Sequence, residues 1–273
     1  MSTTVRVRAF DTGYCVARAG LIARGTGWHE ARCHAPAFLI EHPGHGPLLF
    51  DTGYAPRLLD AFRTWPARIY ALATPTTIGM PLVAQLAGAG VAAHEVRTVI
   101  VSHLHADHVA GLLDFAAARF VVSGAALALQ RRARGVDAVR RGIVQQLFPA
   151  DFDRRATVID AFAGEALPAL GATHDLLGDG SVRLVPLPGH ARGQLGAMLR
   201  TDTGDVLLCA DGAWSTRAYR ELRPPHPITR LMQDDLTELV ATLDALRRFA
   251  AARPACTILP THCPDTLRWA AGS

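Results

Sequence analysis

Ser102-His103-Leu104-His105-Ala106-Asp107-His108 puts four side chains that can bind a metal into one short stretch. It follows Thr98-Val99-Ile100-Val101, an apolar, β-branched run of the kind that forms a strand buried on both faces. In an extended segment, residues i and i+2 share a side, so His103 and His105 can address one ion together. Asp107 and His108 come as the chain turns toward a helix marked by Val109-Ala110-Gly111-Leu112-Leu113, and so face a neighbouring position. Imidazoles combined with a carboxylate are the ligand set expected for zinc or a similar first-row metal.

Three later residues stand in the same relation to a strand. His190 follows Leu187-Pro188-Gly189, Asp211 follows Leu207-Leu208-Cys209-Ala210, and His262 follows Leu259-Pro260-Thr261. Strand ends that deliver ligands to one sheet edge make a rigid site. The remaining histidines, His29, His34, His42, His45, His94, His174 and His226, read as ordinary surface or core residues. Cys209 and Cys263 flank two candidate ligands. No C-x-x-C pair exists in the chain, so packing is the expected role of both.

Around these motifs the pattern alternates. Val5 to Phe10 has the period-2 alternation of a half-buried strand. Ala37 to Glu41 and Leu48 to Asp51 read as strands around a Gly/Pro turn, and residues 195–210 as a hairpin around Thr201-Asp202-Thr203-Gly204. Strands are also expected at Phe120-Val121-Val122, Ser181 to Leu187 and Thr257-Ile258-Leu259. Asp234 or Asp235 opens a helix whose apolar residues Leu236, Leu239, Val240, Leu243, Leu246 and Phe249 share a face. Two runs of strands, each followed by helices, predict a layered α/β (α+β) architecture. With no repeat or linker in view, 1–273 reads as a single domain. Residues 54–90, apolar and broken by prolines, are a candidate lid or wall.

Composition excludes more than it assigns. The chain has 273 residues with 49% hydrophobic and 19% charged, enough for a large core and too apolar for disorder. All 28 Lys+Arg residues are Arg and Asn is absent, which GC-rich coding explains without nucleic acid, despite the net charge of +4. The densest cluster, Arg131, Arg132, Arg134, Arg140 and Arg141, reads as a solvated helical face. No apolar run is long enough for a membrane span, and the opening residues alternate Arg with Val where a secretory leader would be apolar. Five cysteines, an odd number, fit reduced thiols in a cytoplasmic protein.

Taken in order, His103-Leu104-His105-Ala106-Asp107-His108, Pro188-Gly189-His190, Ala210-Asp211-Gly212 and Pro260-Thr261-His262 resemble the motifs of metallo-β-lactamase-fold hydrolases. Leu49-Phe50-Asp51-Thr52-Gly53 is similar to the strand and turn that precede them. The resemblance implies an αββα sandwich, two mixed β-sheets flanked by helices, with two divalent ions at one edge. Zinc is the first expectation for these ions, with iron, cobalt or manganese as alternatives. His103, His105 and His190 would hold one ion, Asp107, His108 and His262 the other, and Asp211 would bridge them. A hydroxide shared by the two ions would attack an ester-like bond, with Asp107 and Asp211 the catalytic carboxylates. Asp51 has two readings: support for a ligand imidazole, or a turn-forming Asp before Thr52-Gly53.

The spacing is most similar to the lactonase-like branch that includes N-acyl homoserine lactonases. A lactone, an acyl-homoserine lactone among them, is therefore the first expectation for the small-molecule substrate. A thioesterase of the hydroxyacylglutathione type and a non-catalytic metal-binding regulator are the alternatives. Where several homoserine lactonases carry a Tyr that touches the substrate carbonyl, this chain has Trp214, whose indole can only donate. Trp214, Arg217 and Tyr219 are candidates to reach over the metals, the arginine toward an anionic group. Trp65 and Tyr70 are candidates to wall an acyl chain, with core packing or a homodimer contact as the alternative use of that insert.

Overall fold

The computed structural model describes residues 2–271. Among the described residues, twelve strands make two sheets. In chain order they are β1 (Arg6–Arg18), β2 (Glu30–His42), β3 (Gly46–Phe50), β4 (Thr76–Ile78), β5 (Thr98–Ile100), β6 (Arg119–Ser123), β7 (Ala156–Ile159), β8 (His174–Asp175), β9 (Val182–Pro186), β10 (Leu195–Thr201), β11 (Gly204–Ala210) and β12 (Thr257–Pro260). The larger sheet runs β4-β1-β2-β3-β5-β6-β7 and the smaller β12-β11-β10-β9-β8. Both are mixed: the first is antiparallel from β4 through β3 and parallel from β3 through β7, and in the second only β11 and β12 are parallel.

Period-2 alternation sorts the strand residues into layers. Phe38, Ile40, Leu48, Phe50, Ile100 and Val121 face the other sheet and meet Leu184, Leu195, Leu199 and Leu208. Their neighbours Leu39, Leu49, Val99, Phe120 and Val122 face the helices of the first half, where Leu58, Leu86, Leu127 and Phe152 cover them. On the outer side of the second sheet, Val185, Met198, Leu207 and Cys209 pack on Leu243, Leu246 and Phe249. The order is helices, sheet, sheet, helices: the αββα sandwich that the motifs imply.

The helix Leu236–Ala252 begins where the sequence placed it. Asp235 is its N-cap, its carboxylate accepting from the amides of Thr237 (2.7 Å) and Glu238 (3.1 Å). Residues 54–90 are more integrated than a detached lid. Tyr54, Leu58 and Leu86 are buried in the core, and β4 adds an edge strand to β1. No described helix is long and apolar enough to cross a membrane.

Candidate metal centre

Each candidate ligand leaves the C-terminal end of a strand at the same edge of the sandwich. The chain after β5 carries His103 to His108, and those after β9, β11 and β12 carry His190, Asp211 and His262. Ala210, the last residue of β11, has φ 46°, the left-handed region costly for any residue with a Cβ. That turn swings Asp211 out of the strand direction. Asp51, also at positive φ (59°), ends β3 in the same way. Gly142 gives His105 its room: a Cβ there would lie 2.2 Å from the ring's Cδ2.

The structure brings all seven together. Ligand atoms of His103, His105 and His190 cluster, as do those of Asp107, His108 and His262, and those of His103, His108 and Asp211. His105 Nδ1 and His190 Nε2 face each other at 2.9 Å. Asp211 stands between the two triads, its Oδ1 3.4 Å from His108 Nε2 and its Oδ2 3.2 Å from His190 Nε2 and 2.9 Å from His262 Nε2. Asp107 Oδ2 lies 3.6 Å from His108 Nε2 and 3.5 Å from His262 Nε2.

Three of these polar atoms, His103 Nε2, His108 Nε2 and Asp211 Oδ1, are fully buried without a hydrogen-bond partner. Orphans of that kind are costly unless something else satisfies them. A divalent cation fits the donor set: imidazole nitrogens and carboxylate oxygens converge from several strand ends, and three of these atoms have no other partner.

The opposite ring nitrogens are held from behind, as metal-binding histidines require. Asp51, only 1% exposed, accepts from His108 Nδ1 (2.7 Å), from the Ser102 amide (2.8 Å) and from the Ser102 hydroxyl (2.7 Å). The same hydroxyl lies 3.0 Å from His103 Nδ1 and accepts its proton. His190 Nδ1 donates to Gln233 Oε1 (2.8 Å), and His262 Nδ1 to the His34 carbonyl (2.6 Å). Ser102, Gln233, His34 and Gly142 were not picked out from the sequence. Only Ser102 carried a signal, its place directly before the first ligand.

Burial pushes the imidazoles of His103, His105 and His190 below their ordinary range, so these three are neutral near pH 7. Burial acts on His108 and His262 in the same direction but is outweighed. Asp107, Asp51 and Asp211 carry His108 well up, and Asp211 with Asp107 brings His262 up to about 9. Burial works against charge on Asp211 too, yet His262, His190 and His108 hold its carboxyl well below the usual range.

A cavity of about 140 Å³ opens on His105, Asp107, His190, Asp211 and His262. Tyr54, Tyr70, Trp214, Cys15, Cys33 and Met232 are among the rest of its lining, and apart from the site's own groups none of the described lining residues is charged. Burial, with Asp107 nearby, pushes the Tyr70 phenol well up, so it stays protonated. Trp214 spends its indole N–H on Asp211 Oδ2 at 2.8 Å, so this donor faces a carboxylate of the site rather than the open cavity.

Three pocket candidates lie elsewhere. Trp65 is 73% exposed, because the helix Ala67–Ala73 that follows it turns Ala67 and Tyr70 inward and leaves Ile69 and Leu72 outside. Tyr219 is 1% exposed and packs into the outer core, since the helix Thr216–Arg220, capped by Ser215, buries Ala218 and Tyr219. Arg217, on the other side of that helix, pairs with Glu221 at 2.9 Å. Arg140, Arg141 and Arg192 line a small cleft of about 30 Å³ that His105 and His190 also border. Arg141 and Arg192 face Asp234 at 3.8 and 3.4 Å, and Arg141 also meets Asp137 at 3.2 Å. Cys209 is sealed in the core, and the Cys263 thiol faces Thr216 and Asp265. Neither joins a described metal-binding cluster.

Two packed mixed sheets with histidines and aspartates gathered at one edge define a metallohydrolase-type scaffold. The chain belongs to the metallo-beta-lactamase superfamily, whose domain matches residues 31–262. It is 26% identical to the N-acyl homoserine lactonase AttM of Azorhizobium caulinodans, over 84% of this chain and 82% of that protein. It is 29% identical to the metallo-hydrolase mfmC of Annulohypoxylon moriforme, over 70% of this chain, and the match spans about half (51%) of that longer protein. Among solved structures, AidC, described as a dizinc quorum-quenching lactonase, superposes with a TM-score of 0.67 at 15% identity, covering 97% of this chain and 89% of that one.

Proposed function

We propose that this protein is a metal-dependent hydrolase that opens a lactone whose non-reacting part is uncharged. The observation that carries the reading is the meeting of seven converging ligands, three with orphaned buried atoms, with a cavity whose remaining wall is uncharged. His103, His105 and His190 would hold one ion, Asp107, His108 and His262 a second, and Asp211 would serve both. Bound there, a pair of divalent ions, zinc first, supplies Lewis acidity and makes water available as a nucleophile near neutral pH.

The chain's own residues do the rest. Asp51, Gln233 and the His34 carbonyl orient His108, His190 and His262. Trp214 holds Asp211, and Asp107, which lines the cavity, would take up a proton. Tyr54 and Tyr70 wall off water beside the reacting centre. An acyl-homoserine lactone suits this cavity, its uncharged acyl chain lying against the apolar part of the wall. A glutathione thioester fits less well, since its carboxylates would need a cationic partner that the described wall lacks. The unpaired thiols fit a reducing compartment such as the cytoplasm.

The test is metal analysis of purified protein followed by turnover of a panel of lactones, thioesters and phosphodiesters. About two ions per chain and lactone opening that His190→Ala and Asp107→Ala abolish are expected. Metal-loaded, folded protein that turns over none of them would point instead to a binding or regulatory role.

A further inference from the structure

Two of the five thiols meet in the cavity wall. Cys15 of β1 and Cys33 of β2 are direct partners in the antiparallel register. Side chains of opposed residues leave on the same face, and here both line the cavity that opens on the metal ligands. Directly opposed Cα atoms stand roughly 4.5–5.5 Å apart, within the ~4.4–6.8 Å that a disulfide spans. Each thiol is the largest influence on the other's acidity, Cys33 drawing that of Cys15 down and Cys15 pushing that of Cys33 up. The other thiols are placed differently. Cys209 is sealed in the core, Cys263 faces Thr216 and Asp265, and Cys256 lies against Met198 at 4.0 Å.

We propose that Cys15 and Cys33 form a reversible modification site in the substrate cavity, closing to a disulfide under a peroxide-class oxidant. The Cys15 sulfur, the less buried of the two, attacks the O–O bond of hydrogen peroxide. An S–O bond forms and hydroxide leaves, taking up the thiol proton as water. The Cys33 sulfur then attacks the oxidised sulfur. The S–S bond forms, the S–O bond breaks, and the second oxygen leaves as water with the Cys33 proton. In sum, two thiols and one peroxide give one disulfide and two waters; the sulfurs lose two electrons and the peroxide gains them. A dithiol reductant reverses the change. Cys33 adjoins His34, whose carbonyl holds His262, so closing the bridge acts on the wall and on the support of a ligand together.

The experiment treats the metal-loaded full chain with hydrogen peroxide and maps it by mass spectrometry under non-reducing conditions. A Cys15–Cys33 cross-linked peptide is expected, with the intact mass falling by about 2 Da and returning on addition of dithiothreitol. In Cys15→Ser and Cys33→Ser the cross-link must vanish, and the remaining partner should proceed to sulfinic acid. Because neither serine variant is needed to see the cross-link, misfolding of one leaves the test intact. The proposal is overturned if, in protein still folded by circular dichroism, both cysteines stay reduced under excess peroxide. Independent oxidation of the two, or linkage to other thiols, overturns it equally. None of these readouts depends on which bond the enzyme hydrolyses, so the outcome is separable from that of the lactonase reading.

Discussion

Asp51→Asn separates the two roles open to Asp51. Asparagine tolerates the left-handed φ of 59° about as well as aspartate, so the turn survives the change. What changes is the face toward His108. Oδ2 now accepts from His108 Nδ1 at 2.7 Å and from the Ser102 hydroxyl at 2.7 Å, while Oδ1 accepts from the Ser102 amide at 2.8 Å. With the amide oxygen kept on the Ser102 amide, an NH2 group confronts two donors. The serine hydroxyl can rotate, but His108 must move its proton from Nδ1 to Nε2, the nitrogen that faces Asp107 and Asp211. A hydrogen bond to a charged acceptor is worth ~1.5–3 kcal/mol, and its loss at 1.36 kcal/mol per tenfold weakens the ion held through His108 by about 10- to 150-fold. The usual cost of losing such a supporting group, about 10- to 100-fold, agrees. Zinc titration in competition with a chromogenic chelator should show one weakened and one nearly unchanged ion per chain. Thermal scanning of the metal-free protein should show a drop of a few degrees, on the order of 2–4 °C per kcal/mol for a chain near this size. Unchanged affinity at both positions in folded Asp51→Asn protein would falsify the supporting role and leave Asp51 as a turn residue.

The two halves of the site should also differ in pH dependence. His103, His105 and His190 are already neutral near pH 7, whereas His262, raised to about 9, and His108, raised well above 6.5, are protonated without metal. Calorimetry in buffers of different ionisation enthalpy should show protons released only with the ion that binds His108 and His262, its affinity rising toward pH 9; equal proton release at both positions refutes this. The sign for the metal-free fold is the reverse. The His262–Asp211 pair stabilises it fully below about pH 6.5 and less as pH rises through about 9, which thermal scans across that range will register. Trp214→Phe keeps the ring but removes the donor to the Asp211 carboxylate, a bond on the same ~1.5–3 kcal/mol scale, so zinc retention should fall by about 10- to 150-fold in the same chelator titration. Gly142→Ala drives a Cβ into the His105 ring at a φ of +71°, and on the order of a 100-fold loss of kcat/KM is expected with the circular dichroism spectrum retained; normal turnover would show that the loop yields instead.

The gathering of the seven candidate ligands was legible because each follows a strand whose pattern is local. A buried β-branched run or a Pro-Gly after an apolar stretch announces its own end, and the strand ends of the two sheets meet once the sheets pack face to face. The layers were legible for the same reason, since Phe38, Leu39 and Ile40 sort themselves by parity once β2 is a strand. The cavity wall was not. Whether a short helix turns Tyr70 or Leu72 inward depends on how Ala67 seats against the core, and Tyr219 and Arg217 were distributed by the packing of one five-residue helix. Aromatic content marked the right segments there, but the direction of each side chain is a tertiary decision.

The thiol pair shows most sharply why register lies beyond local pattern. From Arg6 to Asp11, β1 pairs with β2 so that Arg6 meets Glu41 and Asp11 meets Pro36. Continued unbroken, that register would set Cys15 opposite Arg32. An irregularity between Asp11 and Tyr14 shifts it by one residue, and Cys15 meets Cys33 instead. A one-residue slip decides which face every later side chain takes, and a bulge is how a strand makes that slip without ending. Gly13, at φ 132°, lies inside the irregularity, where a Cβ would sit 2.2 Å from the Thr77 carbonyl of β4. The approach of an edge strand, possible only at a glycine, thus accompanies the slip that brings two distant cysteines into one wall. Position 13 and not either cysteine carries the local signature of that pairing, and a lone glycine within a strand does not say which residues it will bring face to face.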